Sequence, residues 1–326
     1  MSLNNSSLSL NKITSHKNTS TSNLSVTSNS NDPFYGLSFK VGVAENKNTT
    51  YRSKMEDVHT YVANFAERLD WGYFAVFDGH AGKQAARWCG NNLHNYLEQE
   101  ILDSEEKNLE DYDMRDSLNN SFLKADESIT KEGSGNSGCT AAVVVLAWEK
   151  NGNKEKSNDN NDNSNTIDYK NHKRVMYTAN VGDSRIILCR GGNAYRLTYD
   201  HKASDINEIN RIRDSGGLIL KNRVNGILAV TRSLGDSYMK ELVVGTPFTT
   251  STEIYDTDEF MILACDGVWD VISDVKAVEI VKESFTKSDD PEVAAKKLCQ
   301  IAMDNSTTDN ITVMVVKLDT TIFKRT

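Results

Sequence analysis

Acidic residues stand at the ends of several apolar segments of this chain. "YFAVF" runs directly into Asp78, "YTANV" is followed by Gly182 and Asp183, and "MILAC" is followed by Asp266. Further acidic residues lie beside segments of the same kind, namely Glu56, Asp57, Asp270 and Asp309. Because an antiparallel strand ends beside the start of its neighbour, these carboxylates can gather at one edge of a sheet.

Gathered carboxylates point to a hard divalent cation. They repel one another, and their pKa values rise unless positive charge compensates for them. Mg²⁺ or Mn²⁺ with oxygen ligands is the natural compensation. Glycine beside Asp78 lets the backbone approach closely, so the Gly79 carbonyl is a further candidate ligand. Taken singly, each Asp-Gly or Gly-Asp pair is also ordinary turn chemistry, and only their joint occurrence favours a metal site.

Two cationic side chains complete the candidate chemistry. An imidazole such as His80, beside a metal carboxylate, can protonate a leaving oxygen near neutral pH. Arg52 lies four residues before Glu56, and its forked guanidinium can bind a phosphate. The alternatives are a turn histidine and a solvated surface arginine. Together with Asp78, these two residues form the predicted catalytic set.

Other hydrolytic chemistries lack their sequence motifs. No cysteine is followed by arginine at the spacing of a cysteinyl phosphatase loop. The phosphate-binding loop, the dinucleotide fingerprint, G-x-S-x-G and H-E-x-x-H are also missing. "DYD" (111–113) and "DTD" (256–258) do not follow apolar segments, so we expect them to be solvated rather than to form an aspartyl-phosphate site.

The elements that must position these residues are short strands and a few helices. Apolar segments predict strands at 38–45, 58–65, 71–77, 139–148, 174–181, 184–190, 193–198, 260–265 and 311–318. Helical periodicity appears near 81–101, 113–131, 204–215, 274–286 and 291–303. Since several strands follow one another through tight turns, the pattern favours an α+β fold with largely antiparallel sheets.

Composition limits the classes of protein. The 326 residues are 38% hydrophobic and 25% charged, which is typical of a soluble globular protein. A net charge of −9 argues against a nucleic-acid-binding or membrane-binding surface. The longest apolar runs are far shorter than a membrane span, and the N-terminus lacks the features of a signal peptide. Five cysteines without a C-x-x-C motif indicate reduced thiols in a cytoplasmic and nuclear protein.

The chain divides into one folded domain and polar segments. Residues 1–33 are mostly Ser, Asn and Thr and are predicted to be a disordered tail. Residues 34–320 form the predicted domain, and residues 149–173 are a low-complexity loop inserted within it. Residues 321–326 are the predicted C-terminal tail.

Eight ordered segments carry a family resemblance. They are "YRSKMEDVH", "FAVFDGHAG", "GNSGCTAAVVVL", "TANVGDSRIIL", "LTYDHKASD", "RVNGILAVTRSLGD", "LACDGVWDVISD" and "TTDNITVMVV". Over about residues 38–318 the chain resembles the metal-dependent type 2C protein phosphatases. Its sequence is most similar to that of fungal members of the osmotic-stress pathway. The resemblance implies two packed antiparallel β-sheets flanked by helix pairs, with a flap over about 202–237 beside the site.

The resemblance also implies a role for each site residue. Asp78 bridges two Mn²⁺ or Mg²⁺ ions, and Gly79 contributes its carbonyl. The remaining metal residues implied are Asp266 and Asp309 for one ion, Glu56 for the second, and Asp183 and Asp270 for a weaker third; Asp57 is a further metal residue of the set. Arg52 matches a phosphate-binding arginine and His80 a general acid.

The function implied is hydrolysis of phosphoserine and phosphothreonine in proteins without a covalent intermediate. Two metal ions lower the pKa of a bridging water, which attacks phosphorus in line. The implied substrates are stress MAP kinases, reached with an adaptor protein, and the implied state is a monomer. Preference for Ser/Thr over Tyr rests on the resemblance alone. The alternatives are a non-catalytic scaffold that binds kinases or adaptors, which the intact carboxylates disfavour, and a hydrolase of small phosphate esters.

Overall fold

The computed structural model describes residues 34, 36–107, 112–132, 135–150 and 171–324. The predicted N-terminal tail and most of the predicted 149–173 loop lie outside these residues. Of the predicted C-terminal tail, Thr321 to Lys324 continue a 3-10 turn that begins at Thr320, and Ile322 is buried against the core.

Each strand and helix that the sequence pattern predicts is present among the described residues, together with several short elements that it does not predict. The strands are β1 (Phe39–Asn46), β2 (Val58–Ala63), β3 (Gly72–Phe77), β4 (Gly79–His80), β5 (Gly138–Cys139), β6 (Ala141–Lys150), β7 (His172–Val181), β8 (Arg185–Arg190), β9 (Asn193–Arg196), β10 (Ile219–Leu220), β11 (Arg223–Val224), β12 (Leu234–Gly235), β13 (Phe248–Glu253), β14 (Asp258–Ala264) and β15 (Ile311–Leu318). The helices are α1 (Gln84–Glu106), α2 (Met114–Glu132), α3 (Ile206–Asp214), α4 (Asp266–Trp269), α5 (Asp274–Phe285) and α6 (Pro291–Asp304). None of the described helices combines the length and apolar character needed to cross a bilayer.

Two five-stranded antiparallel sheets pack face to face at the centre. One has the strand order β1-β15-β14-β8-β9 and the other β13-β7-β6-β3-β2. Phe74 and Val144 of the second sheet pack in one buried cluster with Met261 and Met314 of the first. The predicted α+β fold, with two packed antiparallel sheets flanked by helix pairs, is confirmed.

Helix pairs cover the outer face of each sheet. α1 and α2 pack on the sheet that contains β3 and β6, and α5 and α6 pack on the other. Both faces of β3 and β6 are therefore buried, which explains their continuous apolar sequences. The second helix pair begins at clear caps: Ser273 accepts from the Lys276 amide, and Asp290 accepts from the Glu292 amide.

Strand register brings the acidic ends together, as the antiparallel argument predicted. Val58 pairs with Phe77, so the residue before β2 lies beside the residue after β3. Ala264 pairs with Val313, so the end of β14 lies beside the start of β15. The β7–β8 turn, which contains Asp183, joins the two sheets.

The predicted flap contains α3 and the β10–β11 hairpin and is anchored by a buried acid. Glu208 accepts hydrogen bonds from Arg211, Thr231 and Arg232 at distances of 2.7 to 3.2 Å. Although burial opposes it, these donors lower the pKa of Glu208 to about 2.

Strand β13 is absent from the sequence prediction. Its sequence "FTTSTE" lacks alternating apolar residues and is partly exposed. Pairing with β7, from Phe248 opposite Asn180 to Glu253 opposite Val175, supplies the order that local sequence does not indicate.

We expect Asp70→Ala to lower the free energy of unfolding by about 3–5 kcal/mol, because it removes one partner of a buried ion pair. Arg174 donates to the Asp70 carbonyl at 2.6 Å and lies 3.4 Å from its carboxylate, and both side chains are almost fully buried. Urea unfolding measures the change. Glu127→Ala, which breaks the exposed pair with Lys131 on α2, is the matched control and should lower the free energy of unfolding far less. Equal losses in both variants would contradict the assignment.

Candidate active site

The strand ends place carboxylates from both sheets together. Side-chain ligand atoms of Asp57, Asp78 and Cys265 all lie within 4.8 Å of one another. Asp78 also interacts electrostatically with Asp183, Asp266 and Asp309. Most of the acidic residues singled out in the sequence therefore lie in one cluster at the end of the sandwich where β3 and β14 finish, with Asp57 and Asp183 buried and the others partly exposed.

Burial and mutual repulsion make this cluster resist ionisation. Burial raises the pKa of Asp78 well above its usual range, and the charges of Asp57 and Asp266 raise it further. Burial likewise raises the pKa of Asp57 to about 6, and it raises that of Asp266 well above its usual range. Such a cluster needs protons or a cation to be stable.

Two buried oxygens of the cluster lack a partner. Asp57 Oδ1 and Asp266 Oδ1 have no hydrogen-bond partner within the described part of the chain. The other oxygen of Asp57 accepts from Thr312 Oγ1 at 2.7 Å. Buried unpaired carboxylate oxygens are costly, and a cation gives them a partner.

The ligand set is made of oxygen atoms, although a cysteine lies among them. Burial raises the pKa of the Cys265 thiol well above its usual range, so it stays protonated. Its Sγ donates to the Asn310 carbonyl at 3.5 Å and accepts from the Thr312 amide at 3.2 Å. Carboxylates without a thiolate suit Mg²⁺ or Mn²⁺ rather than a soft metal, so the residues present fit the ion type predicted from the sequence.

Asp183 and Asp270 are both paired with a lysine side chain, that of Lys202. Lys202 Nζ lies 3.4 Å from Asp183 and 2.9 Å from Asp270. Sequence reasoning did not single out Lys202, although the quoted segment "LTYDHKASD" contains it. The two acids predicted for a weaker third ion are thus already neutralised in part by the protein.

Hydrogen bonds fix the backbone at Asp78. The Asp78 amide donates to Thr140 Oγ1 at 3.2 Å, and the Thr140 amide donates to the Asp78 carbonyl at 2.9 Å. Gly79 follows, where a Cβ would lie 2.5 Å from the Glu56 carbonyl. Only glycine allows these two chain segments to approach so closely.

Asn310 orders the loop that carries Arg52. Its side-chain amide donates to the carbonyls of Lys47 and Lys54 at 2.8 and 3.0 Å, and its Oδ1 accepts from the Glu56 amide at 2.9 Å. The loop is therefore held against the start of β15 at two points before and after the arginine.

Arg52 and Glu56 differ in how far they join the cluster. Arg52 Nη2 lies 2.5 Å from Asp309 Oδ2, and its Nε donates to the Thr308 carbonyl at 3.1 Å. The Glu56 side chain forms no hydrogen bond or ion pair within the described residues, and it lines a cavity beside the cluster instead. The backbone of Glu56 contacts Gly79, so Glu56 lies at the edge of the cluster.

His80 is held by a residue that sequence reasoning missed. Its Nε2 lies 2.7 Å from Asp236 Oδ2, and Asp236 is fully buried. Ser233 Oγ donates to the same oxygen at 2.5 Å, and the Asp236 amide donates to the Ser137 carbonyl at 3.1 Å. At Gly138 a Cβ would lie 2.0 Å from Asp236 Oδ2. The segment "RSLGD" was quoted for the resemblance, but nothing in its local pattern links its last residue to His80.

Comparison with known proteins decides the family. The Protein phosphatase 2C family profile matches residues 41–311. The chain belongs to the protein phosphatase 2C family. It is therefore a protein serine/threonine phosphatase that acts on phosphoproteins, and its family depends on Mn²⁺ or Mg²⁺.

Fungal relatives extend this assignment over most of the chain. It is 57% identical to Protein phosphatase 2C homolog 1 of Saccharomyces cerevisiae over 284 residues, which are 87% of this chain and 95% of that one. It is 43% identical to Protein phosphatase 2C homolog 1 of Schizosaccharomyces pombe over 288 residues, which are 88% of this chain and 75% of that one.

Solved structures support the same fold. The serine-threonine phosphatase 2C from Toxoplasma gondii matches with a TM-score of 0.66 at 22% identity, covering 86% of this phosphatase and 95% of that chain. A sex determining protein of C. elegans matches with a TM-score of 0.70 at 24% identity, covering 88% of this phosphatase and 67% of that chain.

We expect Asp236→Asn to lower kcat for a phosphopeptide by about 10- to 100-fold, as is typical for residues that orient a site residue. The carboxylate fixes the His80 ring, so kcat should fall while KM changes little. Steady-state kinetics with a phosphopeptide measures both constants. Asp256→Asn, in an exposed turn, is the matched control. A loss confined to thermal stability, with kcat intact, would contradict the positioning role.

Proposed function

We propose that this phosphatase hydrolyses phosphoserine and phosphothreonine with the aid of two Mn²⁺ or Mg²⁺ ions. The observation that carries the proposal is the buried cluster in which Asp57 and Asp266 each leave one oxygen unpaired. The residues proposed to hold the two ions are Glu56, Asp57, Asp78, Gly79, Asp266 and Asp309, with Asp183 and Asp270 for a weaker third. When bound, such ions supply an activated water and positive charge that offsets that of the phosphate.

Arg52 is proposed to bind and orient the phosphate. Its guanidinium is half exposed at the rim of the cluster, where it pairs with Asp309. A guanidinium presents several donors in one plane, so it can contact phosphate oxygens while its Nε remains on the Thr308 carbonyl. This arrangement neutralises charge on the transferred group as it develops.

His80 is proposed to protonate the departing serine or threonine oxygen. Its Nε2 faces Asp236, so the proton that it delivers is carried on Nδ1. The buried carboxylate of Asp236 fixes the orientation of the ring. The side chain is partly exposed, which leaves it accessible to a substrate.

Stress MAP kinases, reached with an adaptor protein, are the proposed substrates, and the cytoplasm and nucleus the proposed location. The phosphatase is proposed to be a monomer that lowers the signal of these kinases. The support for the substrates is the sequence resemblance to fungal phosphatases of the osmotic-stress pathway. All five cysteines are free and buried, which is consistent with a reducing compartment.

Asp78→Asn should abolish metal-dependent turnover while leaving the fold intact, because it removes the acid placed between the others. Since burial and like charges raise the pKa of Asp78, its ionised form destabilises the metal-free fold at neutral pH. The metal-free variant should therefore melt no lower than the parent, and the rise in Tm that Mn²⁺ gives the parent should disappear.

Calorimetry with and without Mn²⁺ and phosphopeptide assays measure these effects. Asp304→Asn, at the exposed end of α6, is the matched control. Activity that survives Asp78→Asn, or that persists in excess EDTA, is the outcome that would sink the metal-dependent mechanism.

A phosphothreonine peptide should show a higher kcat/KM than an aryl phosphate, because contacts to residues beside the phosphothreonine add transition-state binding. Parallel assays with both substrates at matched metal concentration make the comparison. An aryl phosphate that is turned over as efficiently as several peptides would favour a small-ester hydrolase.

A further inference from the structure

A cavity of about 540 Å³ opens beside the carboxylate cluster. Glu56 lines it on the side of the cluster. Its other charged lining residues are all cationic, and these are Lys47, Lys54, Lys83 and Arg87. The cavity therefore concentrates positive charge in a protein whose net charge is −9.

These four cations differ from others near the site because they lack close partners. Within the described residues, none of the four side chains donates a hydrogen bond or lies within 4.0 Å of a carboxylate. Lys202 and Arg52, by contrast, are both paired with acids of the cluster. Cations that face one cavity without a hydrogen-bonded or ion-paired partner attract an anionic ligand, although Lys83 also interacts electrostatically with Glu45.

The walls of the cavity are fixed by the fold. Lys47 and Lys54 have their carbonyls bonded to the Asn310 side chain, so the loop that bears them is held in place. Lys83 and Arg87 lie at the start of α1, where the Arg87 amide donates to the Lys83 carbonyl at 2.9 Å. The N-terminal end of this long helix adds a partial positive charge to that of the side chains.

We propose that this cavity is a substrate subsite for acidic side chains, either phosphorylated or carboxylate, that flank the phosphoresidue being hydrolysed. The inference rests on the proposed function, because the cavity shares Glu56 with the site where hydrolysis occurs. Ser53 and Lys54, which directly follow Arg52, line the cavity, so a peptide whose phosphate lies at Arg52 has the cavity beside it. The protein thus selects phosphopeptides with a negatively charged neighbour.

A peptide fits these observations better than a nucleic acid does. The basic surface is limited to one cavity that adjoins the phosphatase site, whereas nucleic-acid backbones need an extended basic track. The strongly negative overall charge would repel the rest of a long polyanion.

The test uses the full chain with Lys47→Gln, Lys83→Gln and Arg87→Gln combined. None of these residues is assigned to the metal cluster, to phosphate binding or to proton transfer, and Lys54 is kept because it lies close to Arg52 and Glu56. The matched control combines Lys276→Gln, Lys296→Gln and Lys297→Gln on α5 and α6, which removes the same charge elsewhere.

Four substrates separate the subsite from the chemistry. They are an aryl phosphate, a phosphothreonine peptide with glutamine neighbours, the same peptide with glutamate neighbours, and the same peptide with a second phosphate. We expect the parent to favour the two acidic peptides by about tenfold or more in kcat/KM, mainly through KM, as charge-assisted contacts allow. The cavity variant should lose this preference, and the control should keep it. Added salt should weaken the preference in the parent.

Turnover of the aryl phosphate and the neutral peptide reports on the proposed function, while the ratio of acidic to neutral peptide reports on the subsite. A parent without any acidic preference, or a cavity variant that retains it, overturns the subsite. Loss of aryl phosphate turnover in the cavity variant would also overturn it, since the cations would then serve the metal site.

If inorganic phosphate inhibits the parent more strongly than the cavity variant while the peptides are not distinguished, the cavity binds free phosphate instead. Tight binding of a single-stranded RNA, lost in the cavity variant without a peptide preference, would equally contradict the proposal.

Discussion

Repulsion among buried carboxylates is the constraint on which the rest of this structure depends. Asp57, Asp78 and Asp266 lie together at the end of two sheets, with burial and like charge both raising the pKa of Asp78. No lysine or arginine of the described residues bonds to any of these three acids. Packing and hydrogen bonds must therefore keep the three carboxylates together until a cation compensates for their charge.

The sandwich holds these acids in place because β3 and β14, which end at Asp78 and Asp266, are buried along nearly their whole length. The helix pairs leave only the ends of the strands available for polar chemistry. Thr140 and Asn310 then fix the connecting backbone, and Thr312 holds one oxygen of Asp57. Rigid supports of this kind are what a site needs when its groups repel one another.

The strands and the acidic residues at their ends could be predicted from the sequence, because both depend on short local patterns. Apolar segments that end in Asp78 or Asp266 identified the strands, and antiparallel pairing then gathered their ends. Strand β13 was missed because its order comes from pairing with β7. Asp236 was missed because it contacts His80 across 156 residues of sequence, and no spacing rule spans such a distance. Glu56 and Asp57 are neighbours in sequence, yet only the structure separates the buried acid from the one facing the cavity.

The positions of the cations divide the acids into two groups with different demands for metal. Lys202 contacts Asp183 and Asp270, so an ion bound there must compete with a covalently attached ammonium group. Among the described residues no lysine or arginine contacts Asp57, Asp78 or Asp266, although the charge of Lys202 reaches Asp266, and two oxygens of these acids lack a hydrogen-bond partner. Electrostatics therefore favours cation binding at the central acids and weakens it at Asp183 and Asp270, beside Lys202. This agrees with the proposal of two ions at the central acids and a weaker third. Arg52 lies between these cases: it pairs with Asp309 from an exposed position, and a phosphate can draw it away at little cost.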